Sequence, residues 1–365
     1  MQSHHRKIGL GALSIAAAMG LVLTGCSNGG GSTDGGDSAA SGESHTFDFT
    51  MHTGENDTIS RVNQKFIDEV AEKSDGRITI NPHFAGSLFG PDQVLEAVET
   101  GTVDIGLQTT SFASGAIPDL AVLEVPFGGP AEPEAVLEFH EGAQPILEDI
   151  FSQHNQQLVF TNPAIMPGVI LCNTELPADV DLSGKLVRTA GPWQGAVMEA
   201  WGGTPVTMGT AELYTALQNK TVDCALQVYN LVDSLKLAEV APYIYRLDFG
   251  ANFNAVNMNQ QAWDSLSEED QQILLEAGIA ARDYAIELLQ SEGQPLMDSM
   301  IASGGQFCRP TDAVIEDKVK SALTVRPAIE EAANSPAGAE LIALSDSFQD
   351  RMVFTPTYGP TDACK

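Results

Sequence analysis

Apolar positions along the chain follow two rhythms. From Thr58 to Ser74 the residues Ile59, Val62, Phe66, Ile67 and Val70 recur at three- and four-residue spacing. That spacing predicts a helix with one buried face, closed by Gly76. The flanking segments His45 to Met51 and Arg77-Ile78-Thr79-Ile80 read as strands. A second helix is predicted from Asp92 to Thr100, with Val94, Leu95 and Val98 inward, stopping at Gly101 before a strand over Thr102 to Gln108. Further helices are predicted over Pro133 to Gln153 and Trp193 to Trp201. Helices alternating with short apolar strands are the pattern of an α/β protein. The last long pattern opens at Ser267 and runs to about Ser303, interrupted only at Gly293 and Pro295. As one helix of ~35 residues it would be ~50 Å long and would cross two domains; the other reading is two helices broken at Gly293-Gln294-Pro295.

One stretch occurs twice. Gly90-Pro-Asp-Gln-Val94-Leu-Glu-Ala97-Val98 leads into Thr102-Val103-Asp104-Ile-Gly-Leu107-Gln108, and Gly209-Thr-Ala-Glu-Leu213-Tyr-Thr-Ala216-Leu217 leads into Thr221-Val222-Asp223-Cys-Ala-Leu226-Gln227, at one constant offset. Two copies of a helix-turn-strand unit predict two domains of the same construction. In open α/β sheets ligands lie beyond the carboxyl ends of strands, so Gln108 with its neighbour Thr109, and Gln227, are expected to face a cleft between the domains. The other reading is that these glutamines only cap loops.

The beginning of the chain has a different pattern. Arg6 and Lys7 precede an apolar run from Ile8 to Leu23 that ends in Leu23-Thr24-Gly25-Cys26. Basic residues, an apolar stretch and small residues before a cleavage point define a secretory signal. The Cys after Leu-Thr-Gly makes it resemble a bacterial lipoprotein signal over 1–25, with Cys26 the lipidated residue; an ordinary signal peptide or a short anchor are the alternatives. The following segment to residue 44 is Gly/Ser-rich and is expected to be a flexible tether. No later apolar run is long enough to span a membrane.

Charge narrows the function. The 365 residues carry 18 Lys+Arg against 49 Asp+Glu, a net charge of −31, which excludes nucleic-acid binding as a primary role. No Lys or Arg occurs between Ile78 and Gly184, and cations resume at Lys185 and Arg188. Arg188 is expected near the carboxyl end of a strand, just before a helix start at Gly191-Pro192. A guanidinium beside helix N-terminal amides suits a carboxylate; the alternative is an arginine paired with a surface acid. No metalloprotease, nucleophile-elbow, P-loop, dinucleotide or EF-hand motif occurs. His45, His52, His83, His140 and His154 do not pair at helical spacing, so no zinc site and no cofactor are expected. His52, near the end of the first strand, is placed to look into a cleft, as a base or as a hydrogen-bonding side chain. An enzyme would need an acid/base pair there, and the candidates Asp104 and Asp223 read as mid-strand structural positions, so no enzyme is expected. Cys172, Cys224, Cys308 and Cys364 allow three disulfide connectivities or free thiols; the pairs expected are Cys172 with Cys224 and Cys308 with Cys364.

Gly184-Lys-Leu-Val-Arg188, Trp201-Gly-Gly-Thr-Pro205-Val-Thr-Met208, Ala211-Glu212-Leu-Tyr214-Thr-Ala-Leu217-Gln218 and Val222-Asp223 together resemble the signature of the extracytoplasmic solute receptors of tripartite ATP-independent periplasmic (TRAP) transporters, of the dicarboxylate-receptor type. The helix, strand and small-residue turn from Phe66 to Ser87 fit the same family, so the likeness covers His45 to about Thr311. It implies an α/β periplasmic-binding-protein-like flytrap: one domain over 45–164 plus about 251–290, a second over 165–250 plus about 291–365, crossing strands and a long helix that spans both. It also implies capture of a small organic acid and delivery to a membrane permease, from an extracytoplasmic position on the cell membrane, as monomer or homodimer. A ligand-sensing subunit and, less favoured, a secreted enzyme acting on organic acids are the alternatives. By similarity Arg188 grips the carboxylate and Gln227 stands where an assisting asparagine is usual. Gly168 stands where many members carry a second arginine, and Thr210 where several carry an aromatic residue. Trp193 offers the ligand a stacking wall, or else is a core aromatic.

Overall fold

The computed structural model describes residues 43–250 and 253–364. The signal, Cys26 and the tether lie outside them, apart from Glu43 and Ser44. Among the described residues eleven strands form two mixed sheets. In chain order they are β1 (His45–Thr50), β2 (Ile78–His83), β3 (Ile105–Thr109), β4 (Gln156–Asn162), β5 (Gly168–Cys172), β6 (Leu186–Thr189), β7 (Thr204–Thr207), β8 (Cys224–Val228), β9 (Tyr243–Phe249), β10 (Asn254–Asn259) and β11 (Gln306–Cys308).

The first sheet runs β2-β1-β3-β10-β4 and the second β7-β6-β8-β5-β9 with β11 added at its edge. Position by position these are the same sheet. Phe49 and Thr50 pair in parallel with Ile105 and Gly106, as Val187 and Arg188 pair with Cys224 and Ala225. The sequence repeat is thus the visible part of a larger duplication, in which Arg188 of the second sheet occupies the place of Thr50 in the first. The chain changes sheets from β4 to β5 and again between β9 and β10, the expected crossings.

Period-two patterning sorts each strand between two cores. In β5, Val169 and Leu171 join one cluster while Ile170 and Cys172 join the other, and β8 divides Ala225 from Cys224 and Leu226 in the same way. Buried aliphatic and aromatic side chains of this kind contribute roughly 1.5–3 kcal/mol each, so every strand has one facial assignment that a register slip would destroy. Directly opposed in that register, Cys172 and Cys224 form a disulfide, and a second joins Cys308 to Cys364. The first closes a loop of 52 residues, worth about 4 kcal/mol through the unfolded state.

The pattern from Ser267 is one helix, Glu268–Ala302, with no break at Gly293 or Pro295. The Ser267 side chain caps it by accepting the Asp270 amide, and Asp270 pairs with Arg77 at 2.7 Å. Leu274, Ala277, Ala281 and Leu288 pack in the core of the first sheet, and Leu289, Met297 and Met300 in a core of the second. Glycine is needed at 293 because the Tyr358 ring packs there: a Cβ would lie 2.3 Å from a ring carbon.

Three expectations need correction. The helix predicted from Asp92 covers only Val94–Glu99, because Gly90 to Gln93 form the turn that enters it. The strands predicted from Thr102 and around Asp223 begin later, at Ile105 and Cys224. Asp104 and Asp223 are consequently not mid-strand. Each stands at a strand's entrance and accepts the amide of the neighbouring strand, Asp48 N–H at 2.8 Å and Leu186 N–H at 2.9 Å. They are register pins at the ends of β3 and β8 remote from Gln108 and Gln227.

Candidate ligand-binding site

The carboxyl ends of β1, β3, β6 and β8 meet around a cavity of about 350 Å³. It takes His52 from the turn after β1, Thr109 from the end of β3, Arg188 from β6, Thr210 from the turn after β7 and Gln227 from β8. Sequence positions far apart converge here because both sheets aim the same strand ends at one another. The mouth outside it is bounded by the two copies of the repeat, Gly90-Pro91-Asp92 on one side and Gly209, Ala211 and Glu212 on the other.

Arg188 is 2% exposed. Its Nε and Nη2 both donate to the Met208 carbonyl, at 3.1 and 2.9 Å, and Nη1 reaches the Leu226 carbonyl at 3.5 Å. Among the described residues no carboxylate pairs with it. Burial alone pulls it down from its ordinary value to about 10, so it is still a full cation at neutral pH. A guanidinium has five N–H donors in a planar fork; carbonyls hold this one in place without neutralising it.

The groups around it are also incompletely used. Gln227 accepts the Val228 amide at 3.0 Å through Oε1, while its Nε2 has no partner. Asn254 accepts the Thr109 hydroxyl at 2.7 Å, leaving its Nδ2 without one. His52 lies 3.4 Å from the Thr109 hydroxyl through Nε2 and meets the Phe112 ring edge-on, and its Nδ1 is unsatisfied. Burial, and secondarily the charge of Arg188, lower His52 to about 4, so the imidazole is neutral near pH 7. Buried donors without acceptors are uncommon in folded proteins; several around one cation mark a place where an oxygen-bearing anion fits.

The remaining candidates are placed elsewhere. Gln108 is buried beside the cavity but does not line it; its amide donates to the Thr109 carbonyl. Trp193 packs against the core and lines no part of the cavity. Gly168 lies against Phe249, whose ring would be 2.1 Å from any Cβ there, so this position cannot present a side chain to a ligand. The helix after Arg188, Pro192–Ala200, does not offer its amides to an anion as expected: Glu124 Oε1 already accepts the Trp193 and Gln194 N–H groups at 2.8 and 2.9 Å. Glu124 also accepts the Ser114 hydroxyl, and burial raises it to about 7. Among the described residues, a larger cavity of about 450 Å³ at the chain crossings has no Lys or Arg in its lining and only the buried, neutral His140 to titrate. Among the described residues no group of His, Cys, Asp or Glu is arranged to hold a metal, and no helix is long and apolar enough to cross a membrane.

With this geometry in hand, residues 49–331 match the family model described as bacterial extracellular solute-binding protein, family 7. The chain belongs to that family. An ectoine-binding periplasmic protein of Halomonas elongata is 26% identical over 78% of this chain and 84% of its own length. A 2,3-diketo-L-gulonate-binding periplasmic protein of Escherichia coli is 24% identical over 72% of this chain and 81% of its own. Among solved structures, a TRAP periplasmic solute-binding protein from Desulfovibrio salexigens with bound orotic acid superposes with a TM-score of 0.78 at 21% identity, covering 84% of this chain and 99% of that one. The chain is an extracytoplasmic solute receptor of the TRAP type with a flytrap fold.

Two contributors to the receptor's cavity, Phe112 and Leu231, are marked in the sequence by the same constant offset as the repeat. They occupy equivalent positions a few residues beyond Gln108 and Gln227 in the repeat, and both line the cavity. Asn254 carried no such signal, because it arrives from the second chain crossing.

Proposed function

We propose that this receptor captures a small organic acid between its two lobes, with the carboxylate on Arg188, and passes it to a membrane permease. The observation that carries this reading is the buried Arg188 guanidinium facing the cavity with no carboxylate partner among the described residues. Relatives that bind ectoine or 2,3-diketo-L-gulonate support a small carboxylate-bearing cargo. The lobes are 45–164 with about 251–290, and 165–250 with about 291–365. No acid/base pair lines the cavity among the described residues, and the two aspartates considered for that role lie at the far ends of their strands. Binding to the folded state alone raises stability by about 2.7 kcal/mol at a hundred times Kd. A thermal-shift screen of the full chain against small organic acids is therefore expected to yield at least one stabilising acid, and none across a broad panel would overturn the reading.

Closure brings the lobes together beside the ligand at Asp57. This residue caps the Thr58–Lys73 helix by accepting the Ile59 amide, and its carboxylate also accepts Ser234 Oγ at 2.9 Å and Asn230 Nδ2 at 3.3 Å from the helix that follows β8. Ser234→Ala removes one such bond, worth about 0.5–1.5 kcal/mol, and touches no ligand. It is expected to weaken binding roughly three- to tenfold through faster reopening; calorimetry showing unchanged affinity would remove Asp57 from the closure mechanism.

A lipid on Cys26 would hold the receptor on the outer face of the cell membrane through the Gly/Ser-rich tether. Cys26→Ser is expected to shift the protein from the membrane to the soluble fraction of fractionated cells, and an unchanged membrane share would refute lipidation.

A further inference from the structure

The cavity walls constrain the cargo beyond its carboxylate. Among the described residues Arg188 is the only charged side chain that lines the cavity, since His52 is neutral near pH 7. Asp57, two residues before Ile59, does not line it and has its oxygens engaged by Ile59, Asn230 and Ser234, and Asp92 and Glu212 line the mouth outside rather than the cavity itself. Apolar groups form much of the remaining wall, from Ile59, Phe112, Ile165 and Leu231. The unsatisfied amide groups of Gln227 and Asn254 are donors, and each needs a neutral or anionic oxygen. Ser111 Oγ and His52 Nδ1, also without partners, can donate or accept.

This inventory has one place for a charge. A second carboxylate would be buried without a second cation, and an ammonium group without an acid. Either costs several kcal/mol, because a buried charge is tolerated only when paired. A carbonyl, lactam or hydroxyl oxygen beside the first carboxylate meets the Gln227 and Asn254 donors at no such cost. An aliphatic or small cyclic body fills the apolar wall.

Resting on the receptor reading above, we infer that the cargo is a monoanion: a single carboxylate flanked by neutral oxygen acceptors on a compact apolar body, with neither a second carboxylate nor an ammonium group. The net acidity of the chain does not set this preference, because surface charges are screened beyond about 8 Å at physiological salt. The lining of the cavity does.

The test uses the unmodified protein and matched ligands. Oxo-, hydroxy- and lactam-bearing monocarboxylates of three to eight carbons are titrated by calorimetry beside the dicarboxylate and the amino acid of the same chain length, for instance 2-oxovalerate with 2-oxoglutarate and 2-aminovalerate. Members of the first class are expected to bind, and their doubly charged or zwitterionic counterparts to bind at least about a hundredfold more weakly. A dicarboxylate or amino acid within tenfold of the best monocarboxylate overturns this inference while leaving the receptor reading intact. Absence of binding in all three classes overturns both.

Discussion

Arg188→Met is expected to lose at least about a hundredfold in affinity for whichever acid the wild-type receptor binds. Two charge-assisted hydrogen bonds from a buried guanidinium contribute about 1.5–3 kcal/mol each, and methionine keeps the bulk while removing every donor. The ligand-free variant is expected to melt no lower than the parent. Burial holds Arg188 down from its ordinary value to about 10, a desolvation cost on the order of 3 kcal/mol. Relief of that cost offsets the Met208 and Leu226 carbonyls left without their donor. Calorimetry and thermal melting on the same sample separate the two effects: lost affinity with retained stability is the signature of a binding residue. A variant that melts far lower would make Arg188 a structural residue instead.

The second large effect concerns Glu124, which is fully buried and raised from 4.5 to about 7. Burial is the main cause, opposed by the Ser114 hydroxyl and the Gln194 and Trp193 amides. Since the folded state holds this proton more tightly than the unfolded chain, its contribution is fully present below about pH 4.5 and is lost as pH rises through about 7. The loss amounts to about 3 kcal/mol. Glu124→Gln mimics the protonated form, keeping an oxygen for the two amides and an NH₂ for the Ser114 oxygen. The variant is expected to match the parent at pH 5 and to exceed its stability by up to about 3 kcal/mol at pH 8, by urea unfolding at each pH. Taking the difference between variant and parent cancels His52, which acts in the opposite sense: lowered from 6.5 to about 4, it takes stability away as pH falls across that window. A Gln variant weaker than the parent at both pH values would mean that the Glu124 charge stabilises the fold.

These two residues also mark how far the sequence could be read. Arg188 was legible because it combines a strand position, a cation-poor chain and a family pattern. Gln227 was legible from the repeat, which reflects a duplication now seen in the register of both sheets. Glu124 was not. It follows the short helical turn Pro118–Leu123, whose buried residues pack into a core cluster shared by both sheets, with Leu158 and Ala255 of the first and Ile170 and Leu226 of the second. Only that tertiary packing brings its carboxylate to the Pro192–Ala200 helix, where it occupies the Trp193 and Gln194 amides that the local sequence leaves open to a ligand. Gly168 failed for a similar reason. Alignment with a family pattern gives a position, but the space beside it belongs to Phe249 from β9. Strand and helix boundaries shifted by a few residues at the Gly90 and Thr102 turns, where Gly90 to Gln93 and Thr102 to Asp104 serve as connections between elements.

The central claim is that a carboxylate completes the Arg188 cluster. A crystal structure of the receptor with the acid giving the largest thermal shift tests it most directly. The expected result is a carboxylate oxygen about 2.7–2.9 Å from an Arg188 guanidinium nitrogen, with Gln227 Nε2 donating to an oxygen of the same ligand. An acid seated elsewhere, with Arg188 still donating only to the Met208 and Leu226 carbonyls, would contradict it.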